Sequence, residues 1–261
     1  MPAVDMHIHT VHCGHAAADM TVENIVRRAE QVGLQQIAIA EHVWIYNHLS
    51  KLDPLVREFD RIEPSIKVYL GVEVDVDPCY TDGRLSEPIP SKFRPLVVST
   101  HAFPDSLLMW YEDSRVSKRT RRRLLKNWFA WVTAAVRRND ADVLAHPGVL
   151  ISREGPEVRF EGEILDCFAE FFAVMRDHGV AFELNEHVKR KFLSPEQRDS
   201  YYNLPALAVE LGVKLSIGSD SHKLEQVGDF DWISNIAQQT GVKPSDFSIY
   251  DGPGLVKTPN C

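Results

Sequence analysis

At 261 residues the chain is long enough to bury a full core, as one large domain or two small ones. Hydrophobic content of 44% and charged content of 25% are ordinary for a water-soluble globular protein, and a formal net charge of −8 argues against a general binder of nucleic acid or anionic membrane. No apolar run is long enough to span a membrane, no secretory signal opens the chain, and Cys13, Cys79, Cys167 and Cys261 form no CxxC pair, so reduced thiols in a cytoplasmic protein are expected.

Val4 to Ile8 predicts a first strand, on which Asp5, His7 and His9 share one face by the period-two alternation of side chains. Such a face suits either a polar edge strand with solvated histidines or a cation site, because buried polar groups need a partner. After a polar loop, Thr21 can cap a helix with apolar positions Val22, Ile25, Val26, Ala29 and Val32, ended by Gly33. The run Ile37 to Ala40 meets Glu41 and His42 directly. Leu52 to Ile62 reads as helix, Lys67 to Glu73 as strand, Asp77 to Ser91 as a loop, and Leu96 to Val98 as a strand leading to Ser99, Thr100 and His101.

Ser114 to Asn139 predicts a long helix, basic at its start and aromatic later. Val143 to Ala145 runs into His146 and Pro147, and a helix over about Glu161 to His178 is closed by Gly179. Val180 to Leu184 leads to Asn185, Asn203 to Leu211 is helical before Gly212, and Val213 to Ile217 reaches Gly218, Ser219, Asp220, Ser221 and His222. Strand and helix therefore alternate about seven times, which calls for a parallel sheet, either open or closed into a barrel. No linker or charge block marks a boundary, so one domain over residues 1–261 is expected, and no glycine-rich phosphate loop follows a strand.

The ends of the predicted strands carry the chemistry. Asp5, His7 and His9 with nearby His15, then Glu41 and His42, Glu73, His101, His146, Asn185, and Asp220 with His222 account for seven of the eleven histidines. In a parallel barrel all strand C-termini open onto one face, so these groups would converge. Seven imidazoles beside several carboxylates, with no cysteine cluster, point to a multi-metal site for zinc, manganese or iron. Paired ions activate water and clamp the oxygens of a phosphoester in displacement.

The ordered pieces Asp5-x-His7-x-His9, Glu41-His42, Gly71-Val-Glu73, Ser99-Thr-His101, His146-Pro147, Glu183-Leu-Asn185 and Gly218-Ser-Asp220-Ser-His222 resemble the signature of the PHP (polymerase and histidinol phosphatase) superfamily, from residue 4 to about 222. The resemblance implies an α/β fold, a distorted (β/α)7 TIM-like barrel with three divalent metal ions at the strand C-termini. Carried over, it assigns one metal to His7, His9, Glu73 and Asp220, a second to Glu73, His101 and His146, and a third to His15, His42 and His222. All these positions hold suitable residues, which favours an active enzyme over a non-catalytic, metal-dependent regulatory copy.

The chemistry expected from this constellation is hydrolysis of a phosphomonoester by a hydroxide bridging two metals, with Asp5, Glu73 and Asp220 as catalytic carboxylates. Asp5 would orient a ligand histidine or take a proton. The partner is a small phosphorylated substrate, with nucleic acid and membrane not expected. Arg190, in Lys189-Arg190-Lys191 after the sixth strand, and Arg153 are the candidates to grip its phosphate, the alternative being solvated loop cations.

The wording His9-Thr-Val-His-Cys13-Gly-His15 resembles stand-alone histidinol-phosphate phosphatases, while the stretches after His101 and Asn185 depart from that pocket. Histidinol phosphate is thus one candidate. A phosphodiesterase or exonuclease would need the basic run Arg115 to Lys126 beside the cleft; otherwise that run is a solvated helix face. Cys13 reads as a packed small residue, and Trp128 and Trp131 as core.

Overall fold

Short β-branched runs separated by helical-period stripes leave this chain little choice but to lay strands side by side and cover them with helices. The computed structural model describes residues 1–44, 48–102, 118–152, 155 and 157–259, with the backbone alone for 118–126 and 189–191. Seven strands, β1 (Val4–Ile8), β2 (Gln36–Val43), β3 (Lys67–Asp75), β4 (Leu96–Ser99), β5 (Val143–Leu144), β6 (Ala181–Asn185) and β7 (Leu215–Gly218), stand in sequence order and pair in parallel. The segment after β7 returns to β1 through His9 N to Ser221 O (3.1 Å) and Asp220 N to His7 O (2.8 Å), so the sheet is a nearly closed barrel.

Helices α1 (Val22–Gln31), α2 (Asp53–Arg61), α3 (Lys118–Arg138), α4 (Val149–Ser152), α5 (Glu163–Asp177), α6 (Glu186–Lys191), α7 (Pro195–Tyr201), α8 (Asn203–Glu210) and α9 (Asp231–Thr240) accompany them. Thr21 caps α1 by accepting from Asn24 N, and Val22, Ile25, Val26 and Ala29 face the core. Val32, expected on that face, lies beyond the last turn and is 38% exposed.

The main core lies between strands and helices, with Trp128, Phe168, Phe171, Phe172 and Phe182 in mutual ring contact. A second, smaller cluster comprises Ala40, Val97, Val143, Ala145 and Ala181. Ala40, Val97 and Ala181 sit two residues before His42, Ser99 and Glu183, on the same strand faces, so small side chains floor the barrel beneath its polar mouth.

Three differences from expectation have physical causes. Strand β2 runs through Glu41 and His42 to Val43 because its ladder with β3 continues to the pair Val43 and Val74. Lys189 to Lys191 belong to helix α6 rather than a loop, since Asn185 accepts from Val188 N and starts that helix. The C-terminal segment adds β8 (Leu255–Lys257), antiparallel to the first half of β3, where short β4 leaves the edge open.

Phe172 is fully buried, 5.5 Å from the ring of Phe182. Phe172→Ala should cost about 3–5 kcal/mol through the cavity it leaves. A lowered denaturant midpoint at unchanged slope is the expected reading.

A candidate metal centre at the strand ends

Glu73, near the end of β3, is the hub. Its Oε1 lies 2.9 Å from His146 Nε2 and 3.6 Å from His101 Nε2. Around Oε2 stand His42 Nδ1 at 2.8 Å, His7 Nε2 at 3.4 Å and His9 Nε2 at 3.5 Å. None of these three meets Oε2 in hydrogen-bonding geometry, although the oxygen is fully buried. Asp220 Oδ1 is 3.1 Å from His9 Nε2, and its Oδ2 accepts from Asn185 Nδ2 at 3.2 Å.

The imidazoles are held from behind. His7 Nδ1 is 2.6 Å from Glu183 Oε1, His101 Nδ1 is 2.7 Å from Asp75 Oδ1, His222 Nδ1 is 3.0 Å from Asp220 O, and His15 Nδ1 is 3.3 Å from Cys13 O. A ring that donates Nδ1–H to an oxygen turns its Nε2 lone pair inward, which is how proteins orient histidines for metals. His7 Nε2 accordingly points at His9 Nε2, 3.0 Å away, and His222 Nε2 is buried with no hydrogen-bond partner. Lone pairs converging on carboxylates fit divalent cations in kind and direction.

Among the described residues, four donor sets close within 4.8 Å: His7, His9 and Asp220; His42, Glu73 and His101; His9, His42 and His222; and Cys13, His15 and His222. All nine residues expected as ligands therefore lie in one cluster, although His42 sits nearest Glu73 rather than apart with His15. His15 is the exposed member at the mouth. Arg190 has only its backbone described, on α6, while Arg153 and Arg115 lie outside the described residues.

Asp5 is buried and tied to backbone. Its carboxylate accepts from Ser219 N (2.9 Å), Gly228 N (3.2 Å) and His7 N (3.4 Å), so backbone amides occupy both oxygens. Those bonds pin the loop that carries Asp220 to β1. Burial raises its pKa to about 6, against the hydrogen bonds from Ser219 and Gly228.

The supporting carboxylates Glu183, Asp75 and Glu41 escaped assignment from sequence. Two have a strand-spacing signal, Asp75 two residues beyond Glu73 and Glu183 two before Asn185, while Glu41 is marked only by adjoining His42. Glu183 Oε2 also accepts from His146 N at 2.7 Å, and Glu41 takes Thr10 through both its amide and its hydroxyl.

Backbone strain collects here. His146 (φ 31°) and Asp220 (φ 49°) are the non-glycine residues with positive φ among those described. At Gly218 a Cβ would come within 2.3 Å of Glu183 Oε1 and 2.6 Å of His7 Cβ, so only glycine lets β7 approach.

Without cations, protons balance the charges. Burial opposes ionisation of Glu73 and Asp220, yet the neighbouring histidines hold both well below the usual carboxylate range. Burial likewise disfavours charge on His9 and His101, but Asp220 and Glu41 at one, and Asp75 and Glu73 at the other, raise each to about 9. Burial and the charge on His9 lower His42 to about 4 and His222 to about 2.

Residues 5–187 match the PHP domain family. The chain is 24% identical over 265 residues to a protein named "probable phosphatase" from Thermoanaerobacter sp. (strain X514), covering 97% of this chain and 92% of that one. A similarly named protein of Vibrio atlanticus (strain LGP32) is 25% identical, covering 93% and 87%. Among solved structures, the histidinol phosphate phosphatase of Lactococcus lactis subsp. lactis Il1403, complexed with zinc, L-histidinol and phosphate, superposes with a TM-score of 0.61 at 16% identity, covering 92% of this chain and 94% of that chain. A Listeria monocytogenes protein described as a candidate histidinol phosphatase gives 0.65 at 17%, covering 87% and 97%. These superpositions show a shared fold.

Two outcomes follow from the geometry. His9 and His101, raised from 6.5 to about 9, contribute stability that is complete below about pH 6.5 and lost towards 9. His42 and His222 act oppositely, their contribution falling as pH drops below about 6.5. Thermal melts in chelator should therefore peak near neutrality, and zinc should remove the alkaline decline by replacing the protons. Glu183→Gln, which loosens His7, should weaken metal binding about 10–100-fold in a competition titration.

Proposed function

The chain belongs to the PHP domain family, and on that premise we propose that it is a metal-dependent phosphatase hydrolysing a small phosphomonoester, within one domain. The observation that carries this reading is Glu73, a fully buried carboxylate with five imidazole nitrogens within 3.6 Å. His7, His9, Glu73 and Asp220 would hold one ion, Glu73, His101 and His146 a second, and His15, His42 and His222 a third. Divalent ions there would supply Lewis acidity, making water nucleophilic near neutral pH and neutralising phosphoryl oxygens.

The protein's own part is positional and electrostatic. Glu183 and Asp75 fix the rings of His7 and His101 through Nδ1, so the donors arrive preorganised. Asp5 acts through the backbone of Ser219 and Gly228, holding Asp220 beside His9. Because the ionised Glu73 and Asp220 are offset only by protons on the neighbouring histidines, the excess positive charge that would hold a phosphate dianion has to come from bound cations. Metal loading then governs substrate binding as well as turnover.

Histidinol phosphate is one candidate substrate. The shared fold with the Lactococcus lactis enzyme supports it, while substrate choice would reside in the sequence stretches after His101 and Asn185. Arg190, or Arg153, would grip the phosphate through a bidentate guanidinium.

A phosphate-release screen over phosphomonoesters, histidinol phosphate included, and over diesters tests the proposal, with metal analysis of the same sample. Rapid release from a monoester, abolished by chelator and restored by zinc or manganese, is expected. Diester cleavage without monoester activity, or no hydrolysis at full metal loading, would overturn it. Glu73→Gln should lower kcat/KM by at least about 10³-fold, as loss of a charged ligand common to two ions requires.

A further inference from the structure

The loop from Thr10 to His15 brings a sulfur to the mouth of the centre. Residues Val11–Cys13 form a single 3-10 turn, capped by the Thr10 side chain, and Gly14 at φ 83° reverses the chain. The reversal places Cys13 and His15 on the same side of the loop. Cys13 Sγ, a ring nitrogen of His15 and a ring nitrogen of His222 all lie within 4.8 Å of one another.

Three further features give this set direction. His222 spends Nδ1 on Asp220 O, and its Nε2 is buried with no hydrogen-bond partner. His15 spends Nδ1 on Cys13 O, leaving Nε2 to face outward from that contact. Ala16 N donates to Cys13 Sγ at 3.2 Å and fixes where the sulfur lies, while burial keeps the thiol protonated until a cation displaces the proton. Cys79 and Cys167, by contrast, are exposed and belong to no such set among the described residues.

We propose that Cys13 is a metal ligand, its thiolate joining His15 and His222 on the outermost cation of the centre. This rests on the metal-centre reading above and extends it to a residue whose spacing in the sequence suggests only packing. Tetrahedral zinc, with bonds of about 2.3 Å to sulfur and about 2.0 Å to nitrogen, sets donors roughly 3.3–3.6 Å apart. Drawing the three atoms together takes about an ångström of side-chain rotation.

On binding, the S–H bond breaks, the electron pair stays on sulfur as the metal bond, and the proton passes to water. A thiolate favours zinc or cobalt over manganese or magnesium at this position. With His42, whose ring is 5.3 Å from that of His15, the donors would number four. A closed shell of protein donors anchors a loop rather than activating water. The outermost cation would thus hold the Thr10 to His15 loop in place at the mouth.

Cobalt loading of the full chain tests this without relying on activity. The wild type should show a near-ultraviolet thiolate-to-cobalt band that Cys13→Ser lacks. Independently, zinc should slow alkylation of Cys13 in the wild type at least about tenfold, mapped by mass spectrometry, with Cys79 and Cys167 unprotected. Bound cobalt without the band, or equal alkylation with and without zinc, would overturn the role of Cys13 and leave the metal centre standing. Failure to bind cobalt at all would overturn both.

Discussion

One buried carboxylate governs this molecule. Glu73 is 1% exposed, and an isolated charge at such a place is strongly unfavourable unless positive charge and hydrogen-bond donors surround it. His7, His9, His42, His101 and His146 gather around it from four other strands or their ends. Each of those rings is then buried in turn, and several need an oxygen behind them. Glu183 and Asp75 answer that need at His7 and His101, and Glu41 lies 3.5 Å from His9 Nδ1 as a charge partner. The polar interior grows outward from Glu73 as a chain of such obligations, and the alternative to protons as counter-charge is metal ions.

A parallel barrel is suited to this arrangement because it separates support from chemistry. Small residues such as Ala40, Val97 and Ala181 pack the floor, and the next inward position along the same strand carries a polar group. Where the strands end, local geometry is forced: His146 and Asp220 hold positive φ, and Gly218 lets β7 approach His7 and Glu183. Asp5 ties the loop after β7 to β1 at the closure of the barrel, so it serves fold and site together. Connections beyond strand ends can differ without disturbing the strands, so a barrel can keep its polar mouth while its rim changes.

Much was legible from the chain alone, because period and punctuation are local properties. The alternation of apolar runs and helical stripes determined a parallel α/β fold, and the step of two along a strand put His7 and His9 on one face and Glu73 in line with Asp75. Histidines at successive strand ends implied convergence on one mouth. What tertiary structure alone decided were the partners across strands. Asp5 shares a face with His7 yet is spent on the amides of Ser219 and Gly228, more than two hundred residues away. Glu183 stands in a signature piece without a role of its own until β6 brings it beneath His7 and the amide of His146. Cys13 reads as packing until the turn at Gly14 and the return of His222 bring its sulfur within 4.8 Å of two imidazole nitrogens. Strand spacing dictates which way a side chain points; only closure of the barrel dictates what it meets there, because those contacts join residues that no local pattern relates.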